Sequence, residues 1–207
     1  AKRTITITQS SYVDSMFDKF MSGDLTKMRK LPVGRDEALL SAFMLIQPAS
    51  DDAIAAEMHA KGYLSIVGSL LFASAMTRPD IAFYVSFLAK MMHKPSPEAL
   101  DAARGILGYL KNTRELGVTY GPDEKLEMHC DSSFGREPRP MAGFVVSYGG
   151  AALSWTLKAL KLVPLSSAEA EANVLSLGCK DAVYVHRLPC ELGPGKIDGC
   201  VPGYSGH

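Results

Sequence analysis

The sequence predicts a mixed α/β (α+β) chain in which a mainly helical region precedes a layer of antiparallel strands and one long packed helix. Three observations predict it. Apolar residues recur at helical spacing through residues 53–112, the period changes to two beyond Gly117, and a helical pattern returns over residues 167–187.

The elements follow in order. Thr4-Ile5-Thr6-Ile7-Thr8 alternates branched apolar and hydroxyl side chains, the pattern of a half-buried strand, expected to pair with something upstream. Residues 9–20 switch to helical spacing, with Tyr12, Met16, Phe17 and Phe20 on one stripe and Ser10 or Ser11 as the cap. Residues 21–50 mix glycine, proline and both charges and read mostly as linker. Tyr63, Ile66, Val67, Leu70 and Leu71 restore the helical period, and Pro79 marks where one helix stops and another begins. Ile81, Val85, Leu88 and Ala89 continue the pattern.

Ser96-Pro97-Glu98 is a helix start, with a hydroxyl cap, a proline in the first turn and a carboxylate suited to the dipole. That helix carries Leu100, Ala103, Ile106, Leu107 and Leu110 and ends before Gly117. Residues 117–120, 126–132, 141–148 and 151–157 then read as strands, the last two joined by Gly149-Gly150, a hairpin-turn pair. The final helix, capped by Ser166 or Ser167, is expected to stop around Arg187 because Pro189 and Gly193 follow.

Composition bounds the function. Hydrophobic residues at 47% and charged residues at 21% exclude bulk disorder and collagen-like repeats. The 22 basic and 22 acidic side chains cancel, so nucleic-acid binding cannot rest on a net positive field and needs a local patch. The first 35 residues hold one, with Lys2, Arg3, Lys19, Lys27, Arg29, Lys30 and Arg35 against Asp14, Asp18 and Asp24. A solvated helix-and-loop surface accounts for it equally well. Cys130, Cys179, Cys190 and Cys200 form no C-x-x-C pair, which points to free thiols in a reducing compartment. Without a signal-peptide core or an apolar run long enough to span a bilayer, the reading is of a soluble intracellular protein, cytoplasmic or nuclear, not secreted.

Two carboxylates stand out by placement. Asp131 sits inside a strand, where a charge needs a wet strand end or a partner. Glu171 lies near the start of the long helix, and the helical period groups it with Val174, Leu175, Gly178 and Ala182 on the apolar side, whereas Glu169 falls on a polar stripe with Asn173 and Ser176. A strand aspartate and a first-turn glutamate offer oxygen ligands to a hard divalent cation, and two such ions can activate water for phosphodiester cleavage. The ordinary reading is an edge aspartate and a dipole-favoured glutamate. His129 and Cys130 are strand neighbours pointing to opposite faces, so they do not form a nucleophile–base pair.

A series of phrases gives these residues a context: Tyr63-Leu64-Ser65-Ile66-Val67-Gly68-Ser69-Leu70-Leu71, Thr77-Arg78-Pro79-Asp80-Ile81-Ala82, Gly108-Tyr109-Leu110-Lys111-Asn112-Thr113, Leu153-Ser154-Trp155, Ser166-Ser167-Ala168-Glu169-Ala170-Glu171 and Glu191-Leu192-Gly193. In this order and spacing they resemble the Pol polyprotein of copia-type long-terminal-repeat retrotransposons. The resemblance implies that residues 1–50 are the last strand and thumb-like helix of a reverse transcriptase, that 51–116 are a helical connection, that 117–193 begin a ribonuclease H-like domain, and that 194–207 form a mobile tail. It further implies a magnesium-dependent site cutting RNA in an RNA-DNA hybrid, with Asp131 and Glu171 as catalytic, metal-binding acids.

The sequence departs from that pattern. The Tyr-x-Asp-Asp turn of the polymerase belongs upstream of Ala1, the third and fourth ribonuclease H aspartates are not matched, and Asp198 lies too early to be one of them. The phrase after the first strand is reduced to Asp131-Ser132-Ser133-Phe134, and an expected aromatic after Glu171 is Ala172. Two carboxylates are too few ligands for a magnesium pair, so the chain is expected to be catalytically incomplete. The other readings are a non-catalytic module gripping a nucleic-acid backbone through Lys2, Arg3, Lys27, Arg29, Lys30, Arg78 and Arg104, and a protein-interaction module. Self-association through an open sheet edge is a further expectation.

Overall fold

In the computed structural model, which describes residues 3–22, 24–34, 37–122, 125–132, 141–159 and 166–192, the first strand is β1 (Ile5–Thr8). Its partner lies downstream, not upstream: β1 pairs with β2 (Gly117–Tyr120) in a two-stranded sheet. The hydroxyls of Thr6 and Thr119 meet at 3.0 Å, and Gly117 lies so close to Ile7 O that a Cβ there would overlap it. The expected half-burial also fails, because Ile5 and Ile7 remain 68% and 49% exposed. Strand pairing is non-local, so an alternating run announces a strand without announcing its partner.

The chain divides into two compact units, residues 5–119 and residues 120–207 with 1–4. In the first unit, α1 (Ser10–Met21) starts at Gln9, whose side chain makes no cap bond. Neither expected serine caps it; Ser10 Oγ donates instead to Arg114 O at 3.2 Å. The stretch read as linker contains a 3₁₀ turn, Leu25–Lys27, and α2 (Glu37–Met44). Phe43 of α2 is buried against the rings of Tyr84 and Phe87, so tertiary packing supplies what local pattern did not. Next come α3 (Asp52–Ala60), capped by Asp51 accepting from Ala53 N at 2.9 Å, and α4 (Tyr63–Met76). A 3₁₀ turn, Pro79–Ile81, leads into α5 (Ala82–Ala89), and α6 (Pro97–Asn112) starts as read, with Ser96 Oγ accepting from Ala99 N at 3.3 Å.

Val13 and Phe17 of α1, Tyr63, Ile66 and Leu70 of α4, Val85 and Leu88 of α5, and Leu100, Ile106 and Leu110 of α6 share one apolar core. Each large side chain buried there contributes about 1.5–3 kcal/mol. Residues on both sides of position 50 thus belong to one packed body.

In the second unit, β3 (Leu126–Ser132), β4 (Met141–Tyr148) and β5 (Ala151–Ala159) form an antiparallel sheet in that order. Gly149 and Gly150, with φ of 63° and 77°, make the hairpin turn between β4 and β5. Helix α7 (Ser167–Leu192) packs on β3 and β4. Ser166 Oγ caps it, accepting from Glu169 N at 3.2 Å. It continues past Arg187 to Leu192, with Pro189 inside the last turn, where only the final backbone bonds are at stake. Ala142, Phe144 and Val146 of β4 meet Ala170, Val174 and Val185 of α7 in a second, smaller core. The residues expected to form a mobile tail lie outside those described, and no helix among the described residues is long and apolar enough to cross a membrane.

Candidate functional site

Asp131 is exposed near the end of β3, and its Oδ1 accepts from Ser132 N at 2.8 Å. The side-chain alternation of β3 divides it into two faces. Leu126 and Met128 pack toward α7, whereas Asp131 shares the other parity with Glu127 and His129. Its cross-strand partner is Gly143, so no side chain stands directly opposite the carboxylate. Glu127, on the same face, is held below the usual carboxylate range by its hydrogen bond and ion pair with Lys125 at 2.5 Å.

Glu171 is exposed, which corrects its expected apolar facing. The packed stripe of α7 is Ala170, Val174, Leu177, Ala182 and Val185, centred one residue earlier than the grouping around Leu175, which is 47% exposed. Glu171 therefore lies on the flank of the packed stripe. No hydrogen bond or ion pair joins it to Asp131 among the described residues, and no three His, Cys, Asp or Glu residues there cluster to hold a metal. The donor chemistry of the two carboxylates suits a hard cation, but two such ligands do not make a magnesium-pair site. An acid that the sequence pattern does not single out, Asp181, is structural, because Ser154 Oγ donates to its Oδ2 at 2.6 Å and so ties β5 to α7. Cys130 and Cys179 are free and exposed.

The basic residues sort more sharply. Arg78 is 2% exposed and cannot reach a backbone phosphate. Its Nε and Nη2 donate to Asp80 at 3.0 and 2.8 Å, and Nη1 and Nη2 donate to Thr113 O and Oγ1 at 3.0 and 2.8 Å. Burial disfavours both charges, yet their hydrogen bonds hold the Asp80 carboxyl below its ordinary range and raise the Arg78 guanidinium. Lys2 lies outside the described residues, and Arg3 is exposed in the other unit.

Lys27, Arg29, Lys30 and Arg104 remain. The segment carrying the first three is seated on α6 by two glycines one turn apart. At Gly108 a Cβ would overlap Lys27 O, and at Gly105 it would come within 2.8 Å of Arg29 Cζ. Asn112 Nδ2 fastens the same segment, donating to Arg29 O at 3.1 Å. Lys27 pairs with Asp101, and Arg29 lies 4.0 Å from the same carboxylate. Arg104, one residue before Gly105, is half-buried, and its Nε is buried without a hydrogen-bond partner. An orphaned donor of this kind costs roughly 1–3 kcal/mol. It lines a cleft of about 270 Å³ with Phe20, Met21, Ser22, Asp24 and Lys27. The signals in sequence were the glycines at 105 and 108 inside a helix, which apolar periodicity does not use.

Comparison with known proteins places the chain. It is 39% identical over 115 residues to a transposon Ty5-1 protein of Saccharomyces cerevisiae, matching 53% of this chain and 37% of that protein. It is 33% identical over 135 residues to a retrovirus-related Pol polyprotein from transposon TNT 1-94 of Nicotiana tabacum, matching 63% of this chain and 10% of that one. A protein of Plasmopara viticola named secreted RxLR effector protein 161 is 31% identical over 128 residues, which are 59% of this chain and 90% of that protein. The chain is thus related to retrotransposon Pol polyprotein sequences. It spans little more than a third of the yeast relative and a tenth of the tobacco one. No family model and no solved structure matches it.

Proposed function

We propose that the chain is a portion of a copia-type Pol polyprotein, running from the end of the reverse transcriptase into the start of the ribonuclease H domain. Its ancestral role is metal-dependent hydrolysis of RNA in RNA-DNA hybrids beside RNA-directed DNA synthesis, and it is catalytically silent as it stands. What supports this is the order and spacing of the phrases quoted above, with the likeness to Pol polyprotein sequences; what supports the silence is that Asp131 lies on the face of β3 turned away from α7, the helix that carries Glu171, and that no three potential metal ligands cluster among the described residues. Asp131 and Glu171 are the acids that the resemblance would make magnesium ligands, and they do not share a face here. Incubation with a labelled RNA-DNA hybrid and magnesium is the test. No cleavage is expected, and cleavage abolished by Asp131→Asn would overturn the reading.

A second reading, nucleic-acid binding without catalysis, is favoured by the seating of residues 27–29 on α6 through Gly105 and Gly108. Seating fixes cations on a rigid helix, which lowers the ordering cost of a phosphate contact. Binding of the hybrid that weakens steeply with salt supports it, because phosphate contacts release counterions. The outer strands β3 and β5 of the three-stranded sheet also favour self-association, which sedimentation tests directly.

A further inference from the structure

We infer that the outer face of α7 is a self-association surface, on which two copies of the chain pair through antiparallel α7 helices with Cys179 at the twofold axis. The helix is apolar on two sides. Ala170, Val174, Leu177 and Val185 form the side packed on the sheet. Across the helix from them, positions 168, 172, 175, 179 and 183 recur at intervals of three and four, the spacing of a seam between two helices. They are Ala168, Ala172, Leu175, Cys179 and Val183, and all five are exposed, Leu175 at 47% and Val183 at 51%. No charged side chain interrupts the stripe. One apolar stripe is enough to seat α7 on β3 and β4, and a second one left in water marks a contact surface.

Charge complementarity selects the occupant and its direction. Residues 167–178 carry Glu169 and Glu171 and no cation, whereas residues 180–187 carry Lys180, His186 and Arg187, with Asp181 engaged by Ser154. A second copy laid antiparallel sets the acidic half against the basic half, and a parallel copy would set like against like. A twofold contact needs a pattern that is self-complementary about one point, with residue i meeting j and j meeting i. Cys179 is that point. Leu175 and Val183 are equally spaced on either side of it and would meet each other twice. Glu169 and Arg187 are about five helical turns apart, so they stand on the same flank of the stripe, and each Glu169 would meet the second copy's Arg187 with an offset of about 3 Å along the axis, within reach of two long side chains. The stripe is roughly 25 Å long and one helix wide. That is less than the roughly 800 Å² each partner of a stable interface buries, so the pairing is weak and concentration-dependent. A lipid surface fits less well, because helices that lie on membranes carry Lys and Arg on their polar face, and one half of α7 is acidic. The contact uses the helix layer and not the outer strands β3 and β5, so it is distinct from edge-to-edge association.

The test is sedimentation equilibrium of the full chain, with thiols kept reduced, from low to high micromolar concentration. The wild type is expected to pass from monomer to dimer across that range. Leu175→Glu puts a charge on the seam and should hold the chain monomeric, and an unchanged melting temperature at low concentration shows that the variant has folded. Glu169→Arg and Arg187→Glu should each weaken the dimer about fivefold, and the double exchange should restore it, a pattern that a loss of folding would not give. Register is read with a short bismaleimide on a chain carrying Cys130→Ser, Cys190→Ser and Cys200→Ser. Cys179 should then be coupled between two copies, and the coupling should vanish in Leu175→Glu. A chain that stays monomeric throughout would overturn the inference. So would a dimer that ignores Leu175→Glu and the charge exchange, which would assign association to the outer strands instead. A dimer that responds to Leu175→Glu but never couples through Cys179 would overturn the antiparallel register.

Discussion

Arg78 and Asp80, two residues apart around Pro79, form a two-pronged ion pair in which Nε donates to Oδ1 at 3.0 Å and Nη2 donates to Oδ2 at 2.8 Å. Tyr109 OH donates to the same Oδ2 at 2.6 Å, and its ring faces the Arg78 guanidinium at 5.1 Å. Thr113 accepts the remaining bonds of Arg78. Two phrases that carry the resemblance, Thr77-Arg78-Pro79-Asp80 and Gly108-Tyr109-Leu110-Lys111-Asn112-Thr113, thus converge on one network around the buried Arg78 guanidinium. Together they lock the end of α4 onto the end of α6.

Breaking that lock from one side should be costly. Asp80→Ala leaves the buried Arg78 charge without its main counterion, and because the Asp80 side is partly exposed a loss of about 1.5–3 kcal/mol is expected, below that of a fully buried pair. Replacing both partners by apolar residues of similar size should cost much less, since the desolvation penalty goes with the charges. Urea unfolding of Asp80→Ala against the double variant Arg78→Met/Asp80→Leu checks the contrast. Equal losses in the two would show that the pair acts only through packing.

The same network sets the response to pH. Burial pushes the Asp80 carboxyl up, but the hydrogen bonds from Arg78 and Tyr109 and the Arg78 charge bring it below its ordinary value. A folded-state pKa below the unfolded one, near 3.9, contributes stability that is present above that value and is lost as pH falls through the folded pKa. At the alkaline end, burial raises the phenols of Tyr63 and Tyr109, and Asp80 raises Tyr109 further. That contribution is complete below about pH 10 and is lost as pH rises through the folded values. Thermal melts should show a plateau at neutral pH with falls below about pH 4 and above about pH 10. In Asp80→Asn the acid limb should become shallower, and phenolate absorbance at high pH should appear together with unfolding.

What was legible in the sequence is what local chemistry determines. The Ser96 cap, the Gly149-Gly150 turn and the Ser166 cap each need only a few adjacent residues, and each is found as read. The partner of β1 and the burial of Arg78 depend on residues far along the chain, at β2 and Thr113, and no periodicity reports them. Glu171 shows a different failure: Leu175 is apolar but exposed, and counting it as core rotated the inferred face of α7 by one residue. A helix stripe with an exposed leucine and a buried alanine, Ala170, misleads hydrophobic pattern in both directions.

Glycine in a helix interior usually costs up to about 1 kcal/mol relative to alanine, so Gly→Ala in α6 would ordinarily stabilise. Gly108→Ala should reverse the sign, because its Cβ would overlap the backbone carbonyl of Lys27, which is fastened nearby by Asn112. A loss of about 1–3 kcal/mol is expected. Gly105→Ala meets only the end of the Arg29 side chain, which can swing away, so its effect should lie close to zero or be mildly stabilising. Denaturant midpoints for the two variants check this, and a stabilised Gly108→Ala would mean that residues 27–29 do not rest on α6.

Asp131 and Glu171 should be separable from the fold altogether. Both are exposed, and the hydrogen bond that Asp131 accepts from Ser132 N is local. Asp131→Asn and Glu171→Gln keep shape and remove only charge, and surface changes of this kind are usually within about 0.5 kcal/mol. If these acids belong to a metal site completed by residues elsewhere in a longer polyprotein, each substitution should abolish hybrid cleavage in that longer protein while leaving the melting temperature of this chain unchanged. The two readouts separate catalytic from structural acids: Asp181, clipped to Ser154, should show the opposite pattern, with Asp181→Ala lowering the melting temperature of the second unit. A marked loss of stability in Asp131→Asn would instead mean that the carboxylate is part of the sheet's own architecture.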